Sequence, residues 1–436
     1  MKKILFSFSL LLISVITLMS CADGDRIDQK GGMGIPLEPT IVNVKSVPGG
    51  AVIKIAIPDD PNLKGVVATY ERNGVTCESR ISRYLDTLVV EGYADESEHE
   101  VSIRSFNADD AKSEAQIVKI TPLEAPVKTA KFEAFESFGG IKIRITDNPT
   151  LAKLALVVQC DQNNADQDLA YSERKWKDVS TFFTESNSVV VSRRGLEAVP
   201  TVFAFHFRDD FGNVSETQLV KLTPKEEVAL NKKLCKHYPV ADDNFKNDTG
   251  GGGVAALFDG VYNGGGKFFL AAKGNPIPTW LTIDLGQEAS ISRIATKPRG
   301  DYMPFQSGNV REWEFWGSDV DPVEDYNNNP AKKDDADYQS RHGFSRGWFM
   351  IAKGEQYKPS GYAPDGTVDG FTSEDRDYYL NSTEYECDNT NPLTPRAFDK
   401  IRYLRIVVVN TFESWQFKQT SGGWFIGEIS PYGQIY

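Results

Sequence analysis

Hydrophobic and polar residues alternate with a period of two in many short stretches of the chain. Leu281, Ile283 and Leu285, for example, alternate with Thr282 and Asp284. Such alternation over four to eight residues indicates a β-strand with one buried face. Because Gly, Asp and Pro turns separate the stretches, the pattern predicts an all-β fold made of antiparallel sandwiches.

Two blocks of sequence occur twice. Residues 49–55 read Gly-Gly-Ala-Val-Ile-Lys-Ile, and residues 139–145 read Gly-Gly-Ile-Lys-Ile-Arg-Ile. Residues 100–122 and 202–224 form a second pair, and both end in Thr-Pro. A repeat of short alternating strands over about 100 residues fits a small β-sandwich. We therefore predict two copies of one sandwich domain, followed by a different domain.

The second copy carries a fibronectin-like signature. Residues 208–215, Arg-Asp-Asp-Phe-Gly-Asn-Val-Ser, resemble the last hairpin of a fibronectin type III domain. The resemblance implies that both copies are fibronectin- or immunoglobulin-like spacers, whose loops can also bind. Residues 225–230 are rich in helix-forming residues, and they predict a short helical linker after the second copy.

The N-terminus has the features of an export signal. Lys2 and Lys3 precede an apolar run over residues 4–19, as in a secretory signal. The run ends in Leu-Met-Ser followed by Cys21, which resembles a bacterial lipobox and implies acylation of that cysteine. The alternative is a plain secretory signal with an incidental cysteine. The acidic start of residues 22–25 resembles the surface-export signal of Bacteroides-group lipoproteins.

Several blocks after residue 240 occur in a characteristic order. They are Ala-Leu-Phe-Asp-Gly at 256–260, Thr-Trp-Leu-Thr-Ile-Asp-Leu-Gly at 279–286, Val-Arg-Glu-Trp-Glu-Phe-Trp-Gly-Ser at 310–318 and Gly-Glu-Ile-Ser-Pro-Tyr-Gly at 427–433. Together they resemble the coagulation-factor type C, or discoidin, domain, whose fold family thirty-two carbohydrate-binding modules share. The resemblance implies a galactose-binding-like jelly-roll sandwich that binds carbohydrate. Insertions around residues 321–343 and 361–393 depart from a minimal module, and their role stays open.

The whole arrangement resembles outer-membrane lipoproteins of the Bacteroides group. That resemblance implies a surface-exposed, lipid-anchored protein that captures glycans beside an outer-membrane importer. The predicted segments are a signal peptide (1–20), a flexible tether (21–35), two fibronectin type III-like domains (36–124 and 125–224), a linker (225–239) and a discoidin-like carbohydrate-binding domain (240–436).

A sugar site needs an aromatic plate and a few fixed polar groups. The discoidin resemblance places them on loops at one end of the sandwich. The matching candidates are Lys267, Phe268, Arg299, Asp301, Tyr302, Trp415, Phe417 and Trp424. Trp280, Trp313 and Trp316 lie in predicted strands, so we expect them in the core.

The resemblance also implies a structural calcium ion as a cofactor. The matching positions are Asp259 and Glu428, and calcium takes six to eight oxygen ligands. The alternative is that Asp259 only forms the turn before Gly260.

Charge and composition exclude other classes. The chain carries 61 acidic and 48 basic residues, a formal net charge of −13, so no nucleic-acid partner is expected. Four His residues and the absence of Cys-x-x-Cys spacing make a zinc site improbable. Whether Cys235 and Cys387 pair stays open.

Two short motifs are typical of other functions, catalysis and adhesion, but the sequence around them does not support those functions. Residues 343–347, Gly-Phe-Ser-Arg-Gly, match a nucleophile elbow, yet the acidic stretch before them is not a buried strand. Residues 299–301 spell Arg-Gly-Asp, an adhesion tripeptide that also occurs by chance. We therefore predict a non-catalytic carbohydrate-binding lipoprotein with no catalytic residue. The alternatives are an adhesion protein that binds a protein partner, and a glycan hydrolase.

Overall fold

The chain forms an all-β structure. The computed structural model describes residues 34–163, 168–246, 248–262, 268–381, 383–387, 396 and 399–436. Strands make up 47% of the structure and helices 10%, which confirms the predicted fold class. Cys21 and Lys267 lie outside the described residues.

The first unit is a sandwich of two antiparallel sheets. Its strands are β1 (Thr40–Val47), β2 (Gly50–Ala56), β3 (Gly65–Arg72), β4 (Val75–Ser82), β5 (Thr87–Glu91), β6 (His99–Phe106) and β7 (Gln116–Ile120). One sheet has the order β1-β2-β5 and the other β4-β3-β6-β7. Alternate side chains from the two inner faces, among them Ile53, Val66 and Ile103, form its core.

The second unit repeats this arrangement. Its strands are β8 (Lys131–Ser137), β9 (Gly140–Thr146), β10 (Leu154–Asp161), β11 (Trp176–Thr184), β12 (Val189–Arg194), β13 (Thr201–Asp209) and β14 (Gln218–Leu222). The sheet orders β12-β9-β8 and β11-β10-β13-β14 match those of the first unit strand for strand. The repeat in the sequence is therefore a repeat in topology.

The repeated Gly-Gly pair has a steric cause. Gly49 and Gly139 lie in two-residue hairpin turns with φ of +69° and +61°, a conformation that glycine adopts at no steric cost. The next glycines lie against a neighbouring strand. A Cβ on Gly50 would approach the Val90 carbonyl oxygen to 2.0 Å, and one on Gly140 the Arg193 oxygen to 1.8 Å.

The third unit is a larger sandwich. Its strands are β15 (Val228–Ala229), β16 (Lys236–His237), β17 (Asp248–Gly251), β18 (Phe269–Ala271), β19 (Asn275–Pro276), β20 (Thr279–Lys297), β21 (Val310–Ser318), β22 (Phe349–Glu355), β23 (Thr383–Glu386), β24 (Ile401–Thr411), β25 (Ser421–Gly422), β26 (Phe425–Ile426) and β27 (Glu428–Ile435). The main sheet has the order β15-β27-β20-β24-β21-β22. The first part of β20 pairs with β24, and its later part pairs with β27.

Helices are few and short. The α-helices are α1 (Pro126–Thr129), α2 (Pro322–Asn328), α3 (Ser373–Leu380) and α4 (Phe412–Phe417). The 3₁₀ helices are Tyr171–Glu173, Lys232–Leu234 and Gly253–Leu257. Within the described ranges, none of the helices is long and apolar enough to cross a membrane.

The expected helical linker is wrong. In residues 225–230 the structure has strand β15, which pairs Val228 with Gly433 of β27. Leu230, which follows it, is buried in the core of the third unit. Sheet pairing and burial here outweigh the weak local preference for a helix.

Arginine and glutamate side chains join the second and third units. Arg194 of β12 pairs with Glu227 and with Glu386 of β23. Glu227 also accepts a hydrogen bond from Ser292 of β20, and Arg293 lies 3.4 Å from it. Glu227, in the segment between the second and third units, therefore binds side chains of both units.

Candidate functional site

Arg299 lies at the end of the third unit, directly after β20. Its guanidinium carbon is 3.5 Å from the centre of the Phe268 ring and 4.3 Å from that of Tyr302. Phe425 lies 5.7 Å away. Across the part of the chain that the structure describes, the guanidinium has these ring contacts but no hydrogen bond or ion pair. Stacking thus fixes a cation whose five N–H donors remain available.

The loop after Arg299 is held in a strained conformation. Met303, Phe305 and Ser307 have φ of 47°, 54° and 54°, values that non-glycine residues rarely adopt. Asn309 fixes the loop by donating from Nδ2 to the carbonyl oxygens of Tyr302, Met303 and Gln306 at 3.2, 2.7 and 3.0 Å. Strain of this kind persists only where the surroundings enforce it, and it is concentrated at functional sites.

Helix α3 supports this loop from the second insertion. The buried Tyr379 donates its hydroxyl hydrogen to Asn309 Oδ1 at 2.6 Å, and the Tyr379 hydroxyl oxygen lies 3.3 Å from the Tyr302 carbonyl oxygen. Burial raises the pKa of Tyr379, so the hydroxyl stays a donor at neutral pH. Arg376 of α3 forms an ion pair with Asp301. Asp301 therefore anchors the loop, and its Arg-Gly-Asp tripeptide is not freely presented.

Two further predicted residues lie on helix α4. Trp415 is half-buried, with the Arg311 guanidinium 4.4 Å above its ring and Tyr362 at 5.3 Å. Phe417 is 62% exposed. Of the predicted aromatic residues, Tyr302 (45% exposed) and Phe417 thus offer the largest open surfaces.

The structure contradicts the predicted role of Trp424 as a sugar-binding residue. It is 0% exposed and packs 4.4 Å from Phe269 and 6.1 Å from Trp313. A sugar cannot reach its ring, because the core of the third unit surrounds it. Phe268 is also buried at 7% exposure, and it supports Arg299 instead of presenting a plate.

Two of the three strand tryptophans lie in the core, as the sequence predicted. Trp313 and Trp316 are 1% and 4% exposed, which confirms both as core residues. Trp280 is half-buried and packs against a second apolar cluster with Trp316 and Phe344.

The residues proposed for calcium have other partners. Glu428 is 3% exposed and forms an ion pair with Lys232, while its Oε2 accepts from the Gly260 amide at 2.9 Å. Asp259 is exposed and accepts from the Val261 amide at 2.8 Å. Among the described residues no group of three or more His, Cys, Asp or Glu could hold a metal ion. The Lys232 ammonium group neutralises the buried carboxylate, so a calcium ion would have to compete with it there.

The segment that follows the first insertion, with Phe344 and Trp348, packs on the outer face of the main sheet. Arg405 of β24 is 0% exposed, lies between the Phe344 and Trp348 rings at 4.5 and 4.4 Å, and donates to both Asp242 oxygens at 3.0 and 2.8 Å. The alternation of residues in β24 could not predict the burial of Arg405, since the residues that cover it are distant in the chain.

The nucleophile-elbow motif falls inside this cover. Ser345 is 1% exposed, and its Oγ has no hydrogen-bond partner among the described residues. Strand β22, not a helix, follows the motif. The serine thus lacks the exposed position and the adjacent base that nucleophilic catalysis needs.

One question from the sequence has a structural answer, and the first two units border a cavity. Cys235 and Cys387, both described, form no disulfide. A cavity of about 480 Å³ lies between the first two units, where Tyr93, Leu151 and Phe211 line it. The residues that line the cavity belong to the first two units, and none of them is a predicted site residue.

Three family models match the chain, each described as a domain of unknown function. DUF4959 matches residues 36–122, DUF5126 matches residues 121–233 and DUF5000 matches residues 258–433. No curated protein matches the chain.

Solved structures are also similar to the chain. A SusE-like protein of Bacteroides is 26% identical, and the match covers 71% of this chain and 100% of that chain with a TM-score of 0.41. The module CBM32-3 of a family 31 glycoside hydrolase from Clostridium perfringens is 16% identical over 47% of this chain and 95% of that chain, with a TM-score of 0.28. The family 32 module of NanJ from C. perfringens, solved in complex with galactose, is 13% identical over 47% and 98%, with a TM-score of 0.25.

Proposed function

We propose that this chain is a non-catalytic cell-surface protein that binds carbohydrate at the end of its third unit. The observation that carries the proposal is the Arg299 guanidinium, which is stacked on Phe268 and Tyr302 but has no hydrogen bond or ion pair with any described residue. A positioned cation with unused donors can donate hydrogen bonds to the oxygen atoms of a ligand.

Sugar hydroxyls match this arrangement. The planar guanidinium donates in a fixed fork, which suits two neighbouring hydroxyl oxygens. Tyr302, which contacts Arg299, and Phe417 of the same unit expose ring surface, and the apolar C–H face of a sugar packs on such rings. Because the loop is already held by Asn309, little conformational entropy is lost on binding.

The proposal includes the membrane anchor and the partner that the sequence implies. Acylation at Cys21 would hold many copies on one outer-membrane surface, and weak single sites would then act together. An adjacent importer would receive the captured glycan. In a test by membrane fractionation, Cys21→Ser is expected to release the protein into the soluble fraction, and membrane retention of this variant contradicts the anchor.

The binding proposal is tested by a glycan array with the full chain. We expect Arg299→Ala to abolish the signal, and Arg299→Lys to weaken it, since the charge remains but the fork is lost. Arg83→Ala is the matched control, because Arg83 also lies over an aromatic ring, at 6.0 Å from Tyr84, in the first unit. A chain that binds no glycan, or an Arg299→Ala variant that binds as well as the parent, contradicts the proposal. The first result favours a protein partner.

A further inference from the structure

Residues 357–380 carry an aromatic patch that the predicted site did not include. Tyr357 and Phe371 are 57% and 44% exposed, and Tyr378 of α3 is half-buried. The Tyr357 and Tyr378 rings lie 5.0 Å apart. The buried Phe305 forms the floor, with its ring 6.4 Å from Tyr378 and 6.3 Å from Phe371. We call Tyr357, Phe371 and Tyr378 the aromatic patch.

The patch is continuous with the Arg299 loop. Phe305, its floor, belongs to that loop, and Tyr379 next to Tyr378 bonds to Asn309 and lies against the Tyr302 carbonyl. The ion pair between Arg376 and Asp301 closes the same junction. The Arg299 loop and the patch therefore share Phe305 and helix α3 as their supports.

Hydrogen bonds and an ion pair fix the backbone that carries the patch. Thr372 caps α3 through a reciprocal pair of hydrogen bonds with Asp375. The Asp375 carboxylate is buried, accepts from the Ser360 amide at 2.8 Å and its hydroxyl at 2.7 Å, and lies 3.3 Å from Lys358 Nζ. These contacts tie α3 to the segment that carries Tyr357. Prearranged rings lower the entropic cost of binding.

The charge around the patch selects among ligands. Residues 357–380 contain two basic and five acidic residues. Asp369, Glu374 and Asp377 are exposed and form no ion pair with any described residue. The surface is therefore negative, and it disfavours anionic chains by like-charge repulsion.

We propose that the aromatic patch is a second sugar subsite, so that the third unit binds neutral glycan chains of several sugar residues instead of a single terminal sugar. The proposal rests on the function proposed above, since the patch extends the Arg299 site. Each ring would pack against the C–H face of one further sugar, as flat aromatic surfaces do with apolar faces.

The test measures how affinity depends on chain length. The probes are neutral linear cello-, xylo-, manno- and galacto-oligosaccharides of increasing length, with oligogalacturonides as the acidic comparison, titrated calorimetrically into the full chain. For the series that binds, we expect affinity to rise with length. In the double variant Tyr357→Ala, Tyr378→Ala the longest chain should lose about tenfold in affinity, the equivalent of about 1.4 kcal/mol, while the monosaccharide affinity stays unchanged.

Control variants separate the two proposals. Tyr84→Ala removes an 87% exposed tyrosine from the first unit and should change nothing. Binding that does not depend on length, a double variant that keeps the length dependence, or tighter binding of oligogalacturonides overturns the subsite and leaves the Arg299 site standing. No binding of any probe by the parent chain overturns both proposals.

Discussion

The Arg299 guanidinium lies over the Phe268 ring, with 3.5 Å between the guanidinium carbon and the ring centre. Contacts with aromatic rings thus orient the Arg299 cation, because none of the described residues forms a salt bridge with it. Stacking of this kind contributes about 0.5–2 kcal/mol. Its role is to orient the donors, which makes the buried Phe268 a positioning residue.

Replacement of Phe268 by leucine tests this role. Phe268→Leu keeps an apolar side chain under Arg299 and should cost no more than about 1.5 kcal/mol of unfolding free energy. Without the flat ring the guanidinium gains freedom, so glycan affinity should fall about two- to fivefold. Calorimetric titration and denaturant unfolding give the two values. Unchanged affinity at unchanged stability would contradict the role.

Trp424 and Phe417 should respond in opposite ways. Trp424→Ala removes a fully buried ring and should lower the unfolding free energy of the third unit by about 3–5 kcal/mol. Phe417→Ala removes an exposed ring and should change stability by less than about 0.5 kcal/mol while it weakens glycan binding. Six of the seven tryptophans lie in this unit, so tryptophan fluorescence reports its unfolding. Equal stability loss in both variants would contradict the placement.

The Lys232–Glu428 ion pair predicts a pH-dependent defect. In Lys232→Met the buried carboxylate loses its cation. The cost should be about 1–3 kcal/mol at neutral pH, less than for a fully buried pair, since the Lys232 side chain is 27% exposed. Burial already raises the pKa of Glu428 above its usual 4.5, and the variant should raise it further. The folded state then binds the proton more tightly, so the defect should shrink as the pH falls toward 4.5.

Calcium is the companion measurement for the same pair. Because the Lys232 ammonium neutralises Glu428, millimolar calcium should leave the melting temperature of the parent chain unchanged. A clear rise that Glu428→Gln abolishes would contradict this prediction and restore calcium as a cofactor.

Acid should loosen helix α3. Burial alone would raise the pKa of Asp375, but hydrogen bonds from Thr372, Ser360 and Lys358 outweigh it and hold that pKa well below the usual 3.8. A lowered pKa means that the ionised carboxylate stabilises the fold at pH values above about 3.8, and that this contribution is lost as the pH falls below that value. The protection factors of the α3 amides, which correct for the slower intrinsic exchange in acid, should therefore fall with pH more than those of the β24 amides. Asp375→Asn should show fast exchange already at neutral pH.

The strands were predictable from sequence because they depend on local pattern. Alternation in β20 and the paired glycines at 49–50 and 139–140 reflect one buried face and one tight turn, which neighbouring residues determine. The loop position of Arg299 followed from the discoidin resemblance. Both features are encoded within a few residues of the positions concerned.

The remaining site features depend on contacts between distant segments. Trp424 and Phe417 are both aromatic residues of the predicted site, and the sequence does not distinguish them. Only Trp424 lies in the core, where it packs against Phe269 and Trp313. The role of α3 depends on Tyr379 meeting Asn309 across 70 positions of the chain. Likewise, Lys232 reaches Glu428 across 196 positions. No periodicity reveals such pairs.

The position of β27 between β15 and β20 governs how the third unit folds. Val228 pairs with Gly433, about 200 residues further along the chain, so the sheet closes only after nearly the whole unit has been synthesised. Closure of so long a loop costs entropy, and such distant pairings fold slowly. The first two units, whose strand partners are closer in sequence, can fold ahead of it. A chain cut within β27 would leave β15 and β20 with unpaired edges that invite aggregation.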